Sequence, residues 1–310
     1  MAHRAASPAR DDRRRAVAVV ALLMGALAIA TSALFVKVSE AGPVATAFWR
    51  VALALPFLWA WATLEQRGAL IAAFTMHRGL ILAAGFFFAG DLAFWHWSIV
   101  LTTVANATLL ANLAPIFVTL ATWLLFSRRP SALFALGLVT ALAGVITLLG
   151  ADFRLGGTAV LGDFFGVVTA MFYGAYQLAV TRLRTGVATS SIMAWSCTIM
   201  TVLLYPVALA SGEQILPATA TGWVTLVALA VIAQVAGQSL IAYAMAHLPA
   251  TFSSVGLLFQ PVMAAVFAWI LLGEALGATA IAGGVIVLLG IFIAHRAEVA
   301  RGLPQRSTTI

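Results

Sequence analysis

Residues 115–126 read PIFVTLATWLLF, and residues 261–272 read PVMAAVFAWILL. Each stretch opens on a proline, Pro115 or Pro261, and carries a tryptophan eight residues on, Trp123 or Trp269. Carrying the same offset of 146 residues outward pairs Trp49 with Trp195, Gly137 with Gly283 and Gly144 with Gly290, and from 115 to 147 the match needs no gap. The chain is therefore two copies of one unit, and its architecture turns on how many elements each copy holds.

Of the 310 residues, 63% are hydrophobic and 9% are Asp, Glu, Lys or Arg, where an ordinary globular domain carries about 25% charged residues. That leaves too little polar surface for a soluble protein. Ten apolar runs, near 16–38, 44–62, 79–100, 103–126, 131–150, 157–181, 188–210, 222–246, 250–272 and 275–295, each supply the roughly 20 helical residues that cross a hydrocarbon core. No strand-like alternation persists, and a spanning segment without water to bind its backbone is helical. The expected fold is an all-α polytopic membrane protein. A basic tail (1–15) precedes a first five-helix repeat (16–150), and a second repeat (157–295) precedes a C-terminal tail (296–310). Five is odd, so the second copy enters the membrane from the opposite side, and the repeats are inverted.

Fourteen arginines fall on the N-terminal side of this layout and Arg154 alone on the other, with Lys37 and Arg50 inside spans. The positive-inside rule then places both termini in the cytoplasm of a cell inner membrane. Reading the Arg-rich start as a cleaved leader would delete the first span and break the repeat. The net charge of +7 forms no aromatic-interleaved basic patch, so nucleic acid is not an expected partner. A single cysteine, Cys197, excludes an intramolecular disulfide framework.

Three stretches carry a resemblance. KVSEAGPVATAFWR holds Lys37, Pro43 and Arg50; NLAPIFVTLATWLLF holds Pro115; LLFQPVMAAVFAWILLGEALGATAIAGGVIVLLG holds Pro261, Gly273, Glu274, Gly283 and Gly290. Together they resemble the EamA-type, ten-helix branch of the drug/metabolite transporter superfamily. The first half departs from the pattern, with Ser127 and Arg128 where the second has Gly273 and Glu274. The resemblance implies export of amino acids and other small metabolites. It also implies a central cavity lined by spans 1–4 and 6–9, with spans 5 and 10 peripheral.

The buried polar residues are the candidates for function. At 1.5 Å per residue, Arg50 and Asp163 lie roughly 9 Å below the outer face and Asp91 about 12 Å below it. An isolated charge there costs about 2.5–3.5 kcal/mol. Asp91 is therefore expected to partner Arg50, with Asp163 competing or sharing, either as a gate that contacts substrate or as a structural ion pair. Lys37, at the outer end of the first span, reads as a fourth member of this layer or as a side chain snorkelling to the interface. Asp91, Phe94, Trp95 and Ser98 share one helical face by spacing, whereas His96 and Trp97 point elsewhere. Asn112, Gln234, Gln238 and Gln260 mark further cavity positions, or interhelical glue, and Tyr173 marks the cavity mouth or an inner aromatic belt. Pro115 and Pro261 read as matched hinges. The glycines spaced by seven on spans 5 and 10 read as close packing.

The function read from these residues is a secondary transporter that works by alternating access between inverted halves, with a small solute and the bilayer as its partners and no obligatory protein partner. No phosphate-binding loop occurs, so ATP is not its direct energy source. No catalytic residue, metal ligand or cofactor is expected. The competing classes are an intramembrane enzyme using Asp91 and Asp163, each preceded by glycine, and a channel, for which no filter motif stands out.

Overall fold

The computed structural model describes residues 8–66, 68–102, 104–149, 159–273 and 277–300; Arg154 and Glu274 lie outside them. Among the described residues every regular element is helical, and ten spans are long and apolar enough to cross a membrane. They are α1 (Arg13–Val38), α2 (Pro43–Gln66), α3 (Leu70–Leu101), α4 (Asn106–Phe126), α5 (Ala132–Leu149), α6 (Val160–Leu183), α7 (Thr189–Ala210), α8 (Ala220–Ala244), α9 (Ala250–Leu271) and α10 (Ala278–Ala300). Only α3 departs much from its expected run. It begins at Leu70, because an extra stretch joins it across a kink at His77 (φ −119°, ψ 19°).

Several spans are interrupted near mid-membrane. Helix α4 breaks at Asn112 and Leu113 and resumes at Ala114, while α9 breaks at Leu257 and Leu258 and resumes at Phe259. Pro115 and Pro261 thus stand in the first turn after each break, where a missing N–H costs least. Helix α1 is interrupted at Thr31, whose hydroxyl donates to Ala28 O at 2.7 Å. In α8, residues Ala230–Gly237 form a π-helical segment, a form rare in proteins and frequent at functional sites.

The helix contacts come in pairs under exchange of the repeats. Helix α3 packs on α6 as α8 packs on α1, α4 packs on α6 as α9 packs on α1, and α2–α7 and α5–α10 are each pairs of equivalents. Cys197 Sγ lies 3.3 Å from Val51 O, and these two positions are equivalent, so the pseudo-two-fold axis runs through the α2–α7 contact. Trp49 Nε1 donates to Ile215 O (2.8 Å), and its equivalent Trp195 Nε1 donates to Leu70 O (3.2 Å).

In lipid, helices gain little from hiding apolar surface and associate by close packing of small residues. The α5–α10 contact shows this. A methyl group on Gly137 would lie 2.6 Å from Ala294 N, one on Gly144 2.9 Å from Gly283 O, and one on Gly290 2.6 Å from Ala141 Cα. Only glycine lets these backbones approach so near.

Two carboxylates tie the halves at the end of the bundle remote from the N-terminus. Glu213, after α7, accepts from Val44 N (2.9 Å) and Ala45 N (3.3 Å) in the first turn of α2. Glu40, before α2, accepts from Ala218 N (2.8 Å), Thr219 N (3.0 Å) and the Thr219 hydroxyl at the cap of α8. The Thr219 hydroxyl and N–H, with the N–H of Ala218, hold the Glu40 carboxyl below the usual carboxylate range.

Candidate functional site

A cavity of about 180 Å³ lies between the two halves. Its walls come from α1, α2, α3, α4, α6, α8 and α9. Helices α5 and α10 contribute nothing to it, as the resemblance implies; α7, which the resemblance places in the lining, contributes nothing either.

Helix α3 contributes the stripe Phe88, Asp91, Leu92, Trp95 and His96, spaced as one helical face. Asp91 and Trp95 are on the expected face, but that face extends the other way from expectation. Phe94 is not in the lining. It packs outward against Trp97, Phe165 and Phe172, with ring centroids 5.8, 5.5 and 5.3 Å away. Ser98 is turned to α6, donating to Gly162 O at 2.7 Å. His96, expected to point elsewhere, lines the cavity and is 2% exposed. Its Nδ1 lies 2.5 Å from Leu92 O. A carbonyl only accepts, so Nδ1 carries the proton and Nε2 is left as an acceptor.

Arg50, on α2, faces the same cavity and interacts electrostatically with Asp91. Its Nε donates to Gln234 Oε1 at 3.0 Å. Gln234, in the π-helical segment, is fully buried and outside the lining, so it holds the arginine from behind. Gln238, one turn on, Gln260 and Pro261 on α9, and Asn112 at the α4 break all face the cavity. Asn112 Nδ2 donates to Thr108 O at 2.7 Å. Tyr173 on α6 also lines the cavity, near the side chains of Gln260 and Gln238. On the N-terminal side of Asp91, Phe88 stacks on Tyr176 at 4.3 Å, and Tyr176 on Tyr173 at 6.1 Å, forming an aromatic floor.

Asp163 stands apart from this group. It lies in the first turn of α6, where Oδ1 accepts from Thr102 Oγ1 (2.8 Å) and Asn106 Nδ2 (2.9 Å). Gly162 brings α6 against the end of α3, its absent Cβ only 2.8 Å from Thr102 N, and this close approach hands Asp163 to the α3–α4 connection and not to Arg50. Depth alone groups the three charges; position around the bundle separates them. Lys37 is exposed at the end of α1 and outside the lining, as snorkelling requires. Pro115 is buried behind the cavity wall.

Three buried atoms of lining residues, His96 Nε2, Gln238 Oε1 and Gln260 Nε2, make no hydrogen bond among the described residues. Two acceptors and one donor beside a cation and an anion form a polar set that a small solute can satisfy. Among those residues no group of three or more His, Cys, Asp and Glu is placed to hold a metal ion.

Ten spans in two repeats around a central, largely apolar cavity with a few polar groups describe a membrane transporter. The comparisons agree. The model of the EamA-like transporter family matches residues 16–150 and again 160–296, and the chain belongs to this family. It is 25% identical over 273 residues to an uncharacterized transporter of Archaeoglobus fulgidus, covering 85% of this chain and 92% of that one. It is 26% identical over 220 residues to the pseudopaline exporter of Pseudomonas aeruginosa, covering 71% of this chain and 75% of that one. A Streptantibioticus cattleyicolor protein named "Probable terminal-alkyne amino-acid exporter" is 26% identical over 208 residues, covering 66% and 69%. A solved crystal structure superposes with a TM-score of 0.74 at 19% identity, over 96% of this chain and 100% of that one; at that identity the likeness is one of fold.

Proposed function

We propose that this protein exports small zwitterionic solutes, amino acids or closely related metabolites, from the cytoplasm across the inner membrane by alternating access, with both termini cytoplasmic. The observation that carries this reading is the cavity itself: Arg50 and Asp91 face one space together with unpaired amide and imidazole atoms. A carboxylate directed at Arg50 and an ammonium at Asp91 would neutralise both charges. Phe88, Trp95 and Tyr173 leave room for an apolar side chain. The volume is below the about 300–1,000 Å³ of drug-sized pockets. Two relatives are named as exporters of such compounds or of a related metabolite.

The cavity occupies the half of the spans remote from the N-terminus, while Leu22, Val180, Leu183, Met193 and Val255 on the N-terminal side are at most 1% exposed. In the proposed orientation this is an outward-facing form. The aromatic floor is then the barrier that opens when the halves rock. An intramembrane aspartyl dyad would need Asp91 and Asp163 at one site, and they are held by different neighbours.

The test is uptake into proteoliposomes of labelled amino acids across the side-chain classes. Saturable uptake of apolar or aromatic zwitterions, abolished in Arg50→Gln, is the expected result. Equal uptake of organic cations lacking a carboxylate would overturn the zwitterion reading.

A further inference from the structure

A second cavity, a lateral crevice of about 230 Å³, lies between α1, α9 and α10 on the N-terminal side of the membrane, away from the transport cavity. Val19, Leu22, Phe252 and Gly256 form its apolar back, and Phe292, 58% exposed, forms its lip toward lipid. Its end is basic. His295 lines it, Arg15 stands one turn before Val19 on the same face, and the Arg296 guanidinium lies 5.8 Å from the Phe292 ring centroid. Glu298 follows on α10, and Asp11 and Asp12 precede Arg15 on the same helix; Arg13 and Arg14 add exposed positive charge at the start of α1.

The inverted copy of this place, between α6, α4 and α5, is built differently. Gly256 is replaced there by Leu110, and Val19 by Phe165. Leu110 Cβ reaches to 2.8 Å of where a Gly166 methyl would stand, and Phe165 packs on Phe94 at 5.5 Å. The counterparts of Arg14, Arg15 and His295 are Val160, Leu161 and Leu149. One crevice is filled and carries no charge at these three described positions; the other is open and has Arg14, Arg15 and His295 there.

We propose that the open crevice is a binding site for an anionic phospholipid, one acyl chain lying along Phe292 and Val19 and the phosphate seated by Arg15, His295 and Arg296. A basic pocket between spanning helices on the arginine-rich side has the charge complementarity that such a headgroup requires. The occupant is a membrane lipid and not a free phosphate, because the polar end is continuous with an apolar slot.

The experiment is native mass spectrometry of the full chain in detergent, with phosphatidylglycerol and phosphatidylcholine of matched chains added in equal amounts. At least fivefold preferential retention of phosphatidylglycerol is expected. It should fall below twofold in His295→Gln with Arg296→Gln, and retention of phosphatidylglycerol should fall in Val19→Phe. Glycerophosphoglycerol at equal concentration should not compete. Equal retention of both lipids by the wild type, competition by the free headgroup, or an unaltered preference in the folded double variant would overturn the proposal. Should the variants fail to fold, a photoactivatable acyl chain on phosphatidylglycerol decides with wild-type protein alone. Crosslinks confined to α1, α9 and α10 support the site, and crosslinks spread over other spans sink it.

Discussion

At the α5–α10 crossing the two repeats carry the same residues at equivalent positions, Gly137 with Gly283 and Gly144 with Gly290. Around the central cavity they carry different ones. Arg50 corresponds to Ser196, Asp91 to Gly237, Asn112 to Leu258, Gln260 to Ala114 and Tyr173 to Leu27. The crossing and the α2–α7 contact lie on the pseudo-symmetry axis, and the alternating access proposed above, with end states related by that axis, would need its pivots matched. The zwitterion proposed as substrate, with a positive and a negative end, has no two-fold symmetry. A symmetric site would show it the same group twice, so the polar residues of the cavity must break the repeat that the frame preserves.

The largest effect that tests this contrast is expected at Arg50. Arg50→Ala removes the donor to Gln234 and leaves Asp91 without its counter-charge, and removing one member of a buried charge pair costs about 3–5 kcal/mol. Thermal unfolding in detergent should show it, and Arg50→Ala with Asp91→Asn should recover part of the loss. Strict additivity would mean that the two charges are independent. Ser196→Ala, at the equivalent position, should cost no more than about 1 kcal/mol, since that hydroxyl bonds within its own helix to Ile192 O.

Next come the matched glycines. Gly144→Val and Gly290→Val force apart a backbone contact, and overpacking of this kind costs about 1–3 kcal/mol. The two should cost the same to within the error of the unfolding measurement; a clear inequality would break the claim that the crossing is symmetric. Smaller still are the prolines. Pro115→Ala and Pro261→Ala each restore a backbone N–H in a first turn, where a donor matters least, so each should change stability by no more than about 0.5 kcal/mol. Because the halves are inverted, the two changes should shift the distance between spin labels at Val38 and Val160 in opposite directions. Shifts of one sign would make the prolines packing features.

The matched ends of α4 and α9 offer a finer test. Both close on a left-handed residue, Ser127 at φ 53° and Gly273 at φ 70°. Ser127→Gly should stabilise by up to about 1 kcal/mol and Gly273→Ala should destabilise by a similar amount. The smallest effect concerns pH. Glu40's folded value is lowered, so its contribution is present above the unfolded carboxylate value and is lost as pH falls through the folded one. Protection of the Ala218 and Thr219 amides, taken relative to their intrinsic exchange rates, should fall over that acid range in the wild type, and Glu40→Gln should remove this pH-dependent loss of protection.

The number, order and repeat of the spans were legible because hydropathy and spacing are one-dimensional signals, and they fix depth as well. Rotation about each helix is not so encoded. Asp91 and Trp95 belong to two overlapping stripes, one running to Phe94 and Ser98 and one to Phe88 and His96, and only packing against α6 selects the second. Asp163 shares a depth with Arg50 but not a neighbour. The π-helical turn in α8 leaves no mark in composition, although it sets Gln234 behind Arg50 and Gln238 on the cavity.

The exchanged carboxylates at the end remote from the N-terminus bear on how the chain is made. Glu213 caps α2 from a position 169 residues after Val44. At about 5–20 residues per second, the first turn of α2 emerges from the ribosome roughly 8–34 s before its cap is synthesised. Until then its N–H groups must be met by water or lipid headgroups at the interface. The early spans therefore wait in the bilayer incompletely stitched, and the seventh connection, when it arrives, closes the first one.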